Sequence, residues 1–141
     1  MLCSSVTAQE WDKLAPLPNP SGVAGAFAGV SHNSLLVAGG ANFPEKKPWE
    51  GGKKVWHDEV FALESPDGKW KPAGKLPQPL AYGISASYKD QLFCVSGSDV
   101  TKHHAEVFSL AWNHNQLKIQ NYPPLPIPIA NACGTIWGSS L

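Results

Sequence analysis

The sequence has no arginine: all 11 of its basic residues are lysines, and they balance 11 acids at a formal charge of zero. Without the guanidinium fork, a carboxylate or phosphate can be met only by lysine or by backbone N–H groups. Zero net charge removes any electrostatic reason to seek nucleic acid or an anionic membrane. No apolar run approaches the roughly 20 residues that a membrane span needs; the longest, residues 23–30, is half small side chains. Glycine and proline are plentiful instead, 13 of each, with six tryptophans in 141 residues. Such frequent breakers and large aromatics exclude long helices. They point to an all-β chain whose length suits one domain of roughly 100 to 150 residues.

Cysteine is scarce as well. Cys3, Cys94 and Cys133 cannot all pair, and Phe93-Cys94-Val95 and Ala132-Cys133-Gly134 are apolar contexts, so buried free thiols are expected. Val6 and Ala8 stand at the spacing of a signal-peptidase site after Ala8, but a basic start and a full apolar core are missing. Residues 1–10 are therefore read as a signal-peptide remnant or a frayed N-terminus, and the protein as periplasmic or secreted.

An internal repeat organises the rest. Leu17-Pro18-Asn19-Pro20, Leu76-Pro77-Gln78-Pro79 and Leu125-Pro126-Ile127-Pro128 share one pattern, and each precedes a run of small and apolar residues, 23–30, 81–88 and 130–137. Leu35-Leu36-Val37-Ala38-Gly39-Gly40 answers Leu92-Phe93-Cys94-Val95-Ser96-Gly97-Ser98, and Glu59-Val60-Phe61-Ala62-Leu63 answers Glu106-Val107-Phe108-Ser109-Leu110. Each unit thus predicts four strands. Short turns at His32-Asn33 and Lys89-Asp90 join the first two, a longer loop leads to the third, and the fourth is Lys69-Trp70-Lys71 or Leu117-Lys118-Ile119. Four antiparallel strands repeating at roughly 50 residues, with Gly-Gly after strand two and Trp in strand four, form the kelch pattern of a β-propeller blade. The small residues 24–29 suit a first strand crowded near the propeller axis. The units predicted are blade 1 over 11–74, blade 2 over 75–122 and the start of a third over 123–141. Propellers close with about four to eight blades, so the chain is expected to be part of a larger propeller, with the remaining blades as its structural partners and little stability alone.

Within this repeat, Gly22-Val23-Ala24-Gly25-Ala26-Phe27-Ala28-Gly29, Ala38-Gly39-Gly40-Ala41-Asn42-Phe43-Pro44 and Trp49-Glu50-Gly51-Gly52-Lys53-Lys54 form a set. Together they resemble the N-acetylneuraminate epimerase (sialic acid mutarotase) family of kelch propellers, in its cyclically permuted branch. The resemblance implies a six-bladed, usually exported propeller. It also implies an isomerase that interconverts sialic acid anomers on a small sugar-acid substrate, with no cofactor. The family's proposed acid and its arginine partner belong to a blade outside residues 1–141. The alternative is a non-catalytic kelch module that binds glycan or protein.

Strand parity places the approach to strand one and the loop between strands two and three at one end of the blade, opposite the His32-Asn33 and Lys89-Asp90 turns. That loop runs over 41–58 in unit one, with four lysines and three acids, but only over 99–105 in unit two. An ordered loop this long is commonly functional. Ring opening needs two proton carriers, for which Glu50, His57 and Asp58 are candidates. Lys53 or Lys54 can meet a sugar carboxylate, Phe43 and Trp49 can stack on a pyranose, and Asn42 and Asn131 can make polar contacts. Pro48, Gly51 and Gly52 are expected to bend the loop so that Glu50 and Lys53 project into the pocket. Asn131 aligns with Tyr82, Ser98 and Asp99 share that end, and Trp56 suits blade packing. Neighbouring His103 and His104 point to opposite sides, so they are read as a solvated loop and not as metal ligands.

Overall fold

The computed structural model describes residues 12–138, and they form two four-stranded antiparallel sheets packed face to face. In the first, β1 (Phe27–Ser31), β2 (Ser34–Ala38), β5 (Glu59–Leu63) and β6 (Lys71–Lys75) pair in that order. In the second, β7 (Ile84–Tyr88), β8 (Gln91–Ser98), β9 (His103–Asn113) and β10 (Gln116–Tyr122) repeat the pattern. A small hairpin of β3 (Ala41–Asn42) and β4 (Val55–Trp56) closes the neck of the long loop. Each sheet is the up-and-down meander of one kelch blade.

The tight turns explain why the strands reverse where they do. His32 and Asn33, Lys89 and Asp90, and His114 and Asn115 all have positive φ, the paired left-handed geometry of a type I′ turn, whose twist matches that of the flanking strands. Gly25, also left-handed at φ 63°, ends the small-residue run early, so β1 begins at Phe27 and not at Val23. Strand four of the first blade falls at Lys71–Lys75, after Trp70. It is an edge strand, the place in a sheet where proline is tolerated, and its register shifts between Val60 and Phe61, with Pro72 opposite Phe61.

The core lies between the sheets. Phe27, Leu36, Val60 and Ala62 of the first face Leu92, Cys94, Phe108 and Leu110 of the second, with Leu76 and Leu80 of the connecting segment inserted between them. Phe27 meets Phe108 edge-on at 6.1 Å. Near the axis the two first strands approach closely: Val30 N–H donates to Ser87 Oγ at 2.7 Å, and a Cβ on Gly29 would stand 2.5 Å from that same oxygen. The small side chains of β1 thus permit the contact between blades.

The third unit holds its place by backbone bonds. Ile129 N–H donates to the His104 carbonyl at 3.1 Å, and the Ile129 carbonyl accepts Gly97 N–H at 3.0 Å. Beyond the His104–Ile129 bridge, residues 130–138 join neither of the two described sheets; Gly134 lies against Ile84 of β7, and Trp137 is 87% exposed. The expectation for the thiols divides accordingly. Cys94 is buried in β8, and burial pushes its thiol well above the ordinary range. Cys133 is exposed, although its neighbour Gly134 lies against Ile84 of β7. Cys3 and the proposed cleavage site lie outside the described residues. Among those residues, no helix is long and apolar enough to cross a membrane.

Candidate functional site

At the end of the first blade away from the type I′ turns, the approach to β1 and the β2–β5 loop meet, as strand parity requires. Ala24 bridges Ala41 through two backbone bonds of 2.8 and 2.9 Å. Beside that bridge is a recess of about 470 Å³, walled by Gly22 and Ala24 on one side and by Asn42, Phe43, Pro48 and Trp49 on the other. Lys47, Lys54 and Tyr82 also line it. Trp49 is 80% exposed and Phe43 partly so, leaving aromatic surface for a ligand. Among the described lining residues two are cationic and none is a carboxylate or a histidine.

Asn42 is placed as the sequence suggests, but its polar atoms are engaged. Its Nδ2 donates to the Gly22 carbonyl at 2.7 Å and to Asn19 Oδ1 at 3.2 Å, while its Oδ1 lies 2.8 Å from His57 Nε2, which donates to it. His57 Nδ1 faces Glu59 Oε2 at 3.6 Å. Asn42 therefore joins three segments and fixes the Gly22 wall of the recess. His57 supports that amide and does not line the recess. Asp58 faces another way, with both carboxylate oxygens 3.1 Å from Lys75 Nζ.

The loop tip corrects a second expectation. Residues 48–50 make one 3₁₀ turn, and Glu50 folds back so that its Oε2 accepts Lys47 N–H at 3.1 Å. A carboxylate at a turn start satisfies a donor that has no partner within the turn. Pro48 and Trp49 enter the recess wall, whereas Glu50 and Lys53 are exposed outside its lining. The cation inside is Lys54, whose Nζ stands 4.3 Å from the Tyr82 ring centroid and 5.1 Å from that of Trp56. Trp56 packs beneath Lys54, and its buried indole N–H finds no partner among the described residues.

Two further relations escaped the sequence reading. Gly25, Tyr82 and Asn131 occupy one backbone station in successive units, all left-handed, at φ 63°, 65° and 55°. Tyr82 N–H donates to the Gly25 carbonyl at 2.7 Å, and Asn131 N–H to the Tyr82 carbonyl at 2.8 Å. The alignment of Asn131 with Tyr82 is thus a bonded succession around the axis.

The second relation is that His104 is the counterpart of His57, not a solvated loop residue. It is 2% exposed, in strand β9, where alternation sends His103 outward and His104 inward. Its Nε2 donates to Asp99 Oδ2 at 2.8 Å, and its Nδ1 lies 3.0 Å from Gln78 Nε2 and 3.2 Å from Glu106 Oε2. Asp99 stands where Asn42 stands in the first blade, following Ser98, which is bridged to Ala81 as Ala41 is to Ala24. The shared His-x-Glu spacing was the available signal.

The difference between these stations is chemical. Asn42 must donate to one side and accept from the other, whereas Asp99 only accepts. Asn42→Asp would set a carboxylate against the Gly22 carbonyl and remove two donated bonds. A loss of about 1–3 kcal/mol is expected, because two part-buried acceptors lose their donor, and it is read as a lowered melting temperature. An unchanged melt would mean that the Gly22 wall is held by other contacts.

The N-acetylneuraminate epimerase family model matches residues 3–119. The chain belongs to the N-acetylneuraminate epimerase family. It is 44% identical over 110 residues to the N-acetylneuraminate epimerase of Yersinia enterocolitica, covering 70% of this chain and 27% of that relative. It is 43% identical over 104 residues to that of Salmonella enteritidis, covering 63% of this chain and 27% of the relative. The solved structure of YjhT superposes with a TM-score of 0.71 at 33% identity, over 79% of this chain and 34% of that one. The chain therefore spans about a quarter of the length of its curated relatives. The kelch-propeller reading of the two sheets and the recess between blade-end loops stand within this family.

Proposed function

We propose that the intact protein interconverts the α and β anomers of N-acetylneuraminate by acid–base ring opening, with the remaining blades closing the site. The observation that carries this reading is the recess, an aromatic and cationic hollow at the loop end of a blade in a chain of this family. In the reaction one group takes the anomeric hydroxyl proton while another protonates the ring oxygen. The ring opens to a carbonyl and recloses on its other face. Protons exchange and electrons balance within the sugar, so the chemistry calls for no redox group.

In this reading Phe43 and Trp49 are the platform for the pyranose, and Asn42 holds the wall opposite. Asn131 stands at the strand station adjoining Tyr82. Glu50 caps the turn that carries Trp49 into the recess, and the proton carriers belong to the remaining blades. His57 and Asp58 act through the contacts that hold the loop. Export to the periplasm or medium belongs to the same proposal and rests on the Val6 to Ala8 pattern; the N-terminal sequence of the mature protein tests it.

Exchange NMR of N-acetylneuraminate is expected to show anomer interconversion faster than the spontaneous rate, in proportion to protein. Glu50→Gln keeps an oxygen that can accept the Lys47 N–H, so kcat and KM should both stay within about twofold, as expected of a group outside the reacting site. No acceleration at any protein concentration would leave a glycan-binding module in place of an enzyme. A large loss of kcat with KM unchanged in Glu50→Gln would instead return Glu50 to the reaction as a proton carrier.

A further inference from the structure

Tyr82 has an unusual seat. A Cβ on Gly25 would come within 2.4 Å of Tyr82 Cδ1 and 2.7 Å of its Cε1, so the ring occupies space that any side chain at Gly25 would fill. Its backbone is held on both sides, by the Gly25 carbonyl before it and the Asn131 N–H after it. Above the ring stands the Lys54 ammonium, at 4.3 Å from its centroid and also within reach of Trp56. A lysine normally spreads over many rotamers, and ordering it costs up to about 2 kcal/mol of side-chain entropy. Here two aromatic faces hold the cation in advance, through the attraction of a positive charge to a ring quadrupole.

We infer that Gly25, Tyr82 and Lys54 form a stacked anion subsite in which Lys54 takes the carboxylate of the sugar acid and Tyr82 sets the enzyme's preference for acidic over neutral sugars. The inference rests on the sugar-acid reading above and adds the residues that read the acid. The charge pattern supports it: Lys47 and Lys54 line the recess with no carboxylate among its described lining residues, while Asp99 faces the neighbouring hollow on the far side of Lys54 and Trp56. An anion is thus favoured on the Tyr82 side of Lys54. With no arginine among residues 1–141, lysine supplies the positive charge in this recess, and of Lys47 and Lys54 it is Lys54 that the aromatic rings hold in place. Lys53 lies outside the recess, so the choice between two adjacent lysines follows from which one the rings hold.

The test uses the intact protein with N-acetylneuraminate and its methyl ester, which keeps the sugar and removes the charge. Dissociation constants for both come from NMR titration, and anomer exchange is recorded alongside. Lys54→Met, at a partly exposed position that tolerates the change, is expected to weaken binding of the acid about tenfold and leave the ester nearly unaffected, as loss of a charged hydrogen bond predicts. Tyr82→Leu should shift the same ratio about threefold through loss of the cation–π seat, and Tyr82→Phe should restore it. An acid-to-ester ratio unchanged in Lys54→Met, or moved equally by Lys53→Met, overturns the inference even if anomer exchange proceeds. A ratio that falls as expected without any anomer exchange upholds the subsite and sinks the mutarotase reading. Failure of both ligands to bind sinks both.

Discussion

Replacing His104 by alanine is expected to cost about 3 kcal/mol, the size seen when one partner of a buried charged or hydrogen-bonded pair is removed. The imidazole is 2% exposed and bonded to the Asp99 carboxylate, with Gln78 and Glu106 on its other nitrogen. Its own carbonyl receives Ser96 Oγ and Ile129 N–H, so the β8–β9 loop and the start of the third unit meet at this residue. Thermal unfolding of the intact protein measures the loss, and a melt within a degree of wild type would show the network to be dispensable.

The same network sets a pH dependence. Asp99 accepts the Thr101 hydroxyl and N–H, His104 Nε2 and the Lys102 N–H, which together hold its carboxyl far below the usual range. A depressed carboxyl contributes stability that is present above its unfolded value of about 4 and lost as pH falls below that toward the folded value. Stability should therefore decline on acidification through that window, and Asp99→Asn should flatten the decline. Glu64 and Glu106 are also lowered, Glu64 chiefly by its bond to Lys71 and Glu106 chiefly by its own backbone N–H, so part of the slope survives the substitution.

Gly39→Ala should be comparably damaging. Gly39 has φ 64°, and a Cβ there would stand 2.3 Å from the Leu80 carbonyl oxygen and 3.0 Å from Leu76 Cδ1. That carbonyl accepts Gly40 N–H, and Leu80 is a buried wedge between the sheets, so neither side can yield cheaply. Left-handed strain of about 1–2 kcal/mol adds to an overpacking cost of about 1–3 kcal/mol. The sum is a large share of the 5–15 kcal/mol typical of a whole domain, roughly. Gly22 and Gly51 provide the comparison: both have positive φ, but nothing lies within 4 Å of an added Cβ, so alanine there should incur the backbone strain alone.

The second blade refines this result. Its counterpart of Gly39 is Ser96, left-handed at φ 63°, whose single hydroxyl proton is shared between the His104 and Ile129 carbonyls. Gly39→Ser carries the same Cβ toward the Leu80 carbonyl, so it should cost less than Gly39→Ala only by what a hydrogen bond from its hydroxyl returns. Equal melting temperatures for the two variants would show that the clash is steric alone.

The sequence by itself determined the repeat, the strand order within each blade, the reversing turns and which loops share an end. These depend on local signals: alternation along a strand, Leu-Pro-x-Pro before it and turn residues that accept positive φ. The blade repeat, together with the loop motifs of 22–29, 38–44 and 49–54, also sufficed to place the chain in its family. Only the tertiary structure decided where individual side chains of the long loop and the strand ends point. Glu50 turns back to Lys47, His57 holds Asn42, Asp58 pairs with Lys75, and of two adjacent lysines only Lys54 enters the recess. His104 is buried and Cys133 exposed because neighbours distant in sequence cover the first and not the second. The seat of Tyr82 depends on the missing side chain of Gly25 in another blade. Strand periodicity repeats every two residues and can be read along the chain. A loop side chain is aimed by whichever distant group offers it a bond or a surface, and that partner is known only once the blades have packed.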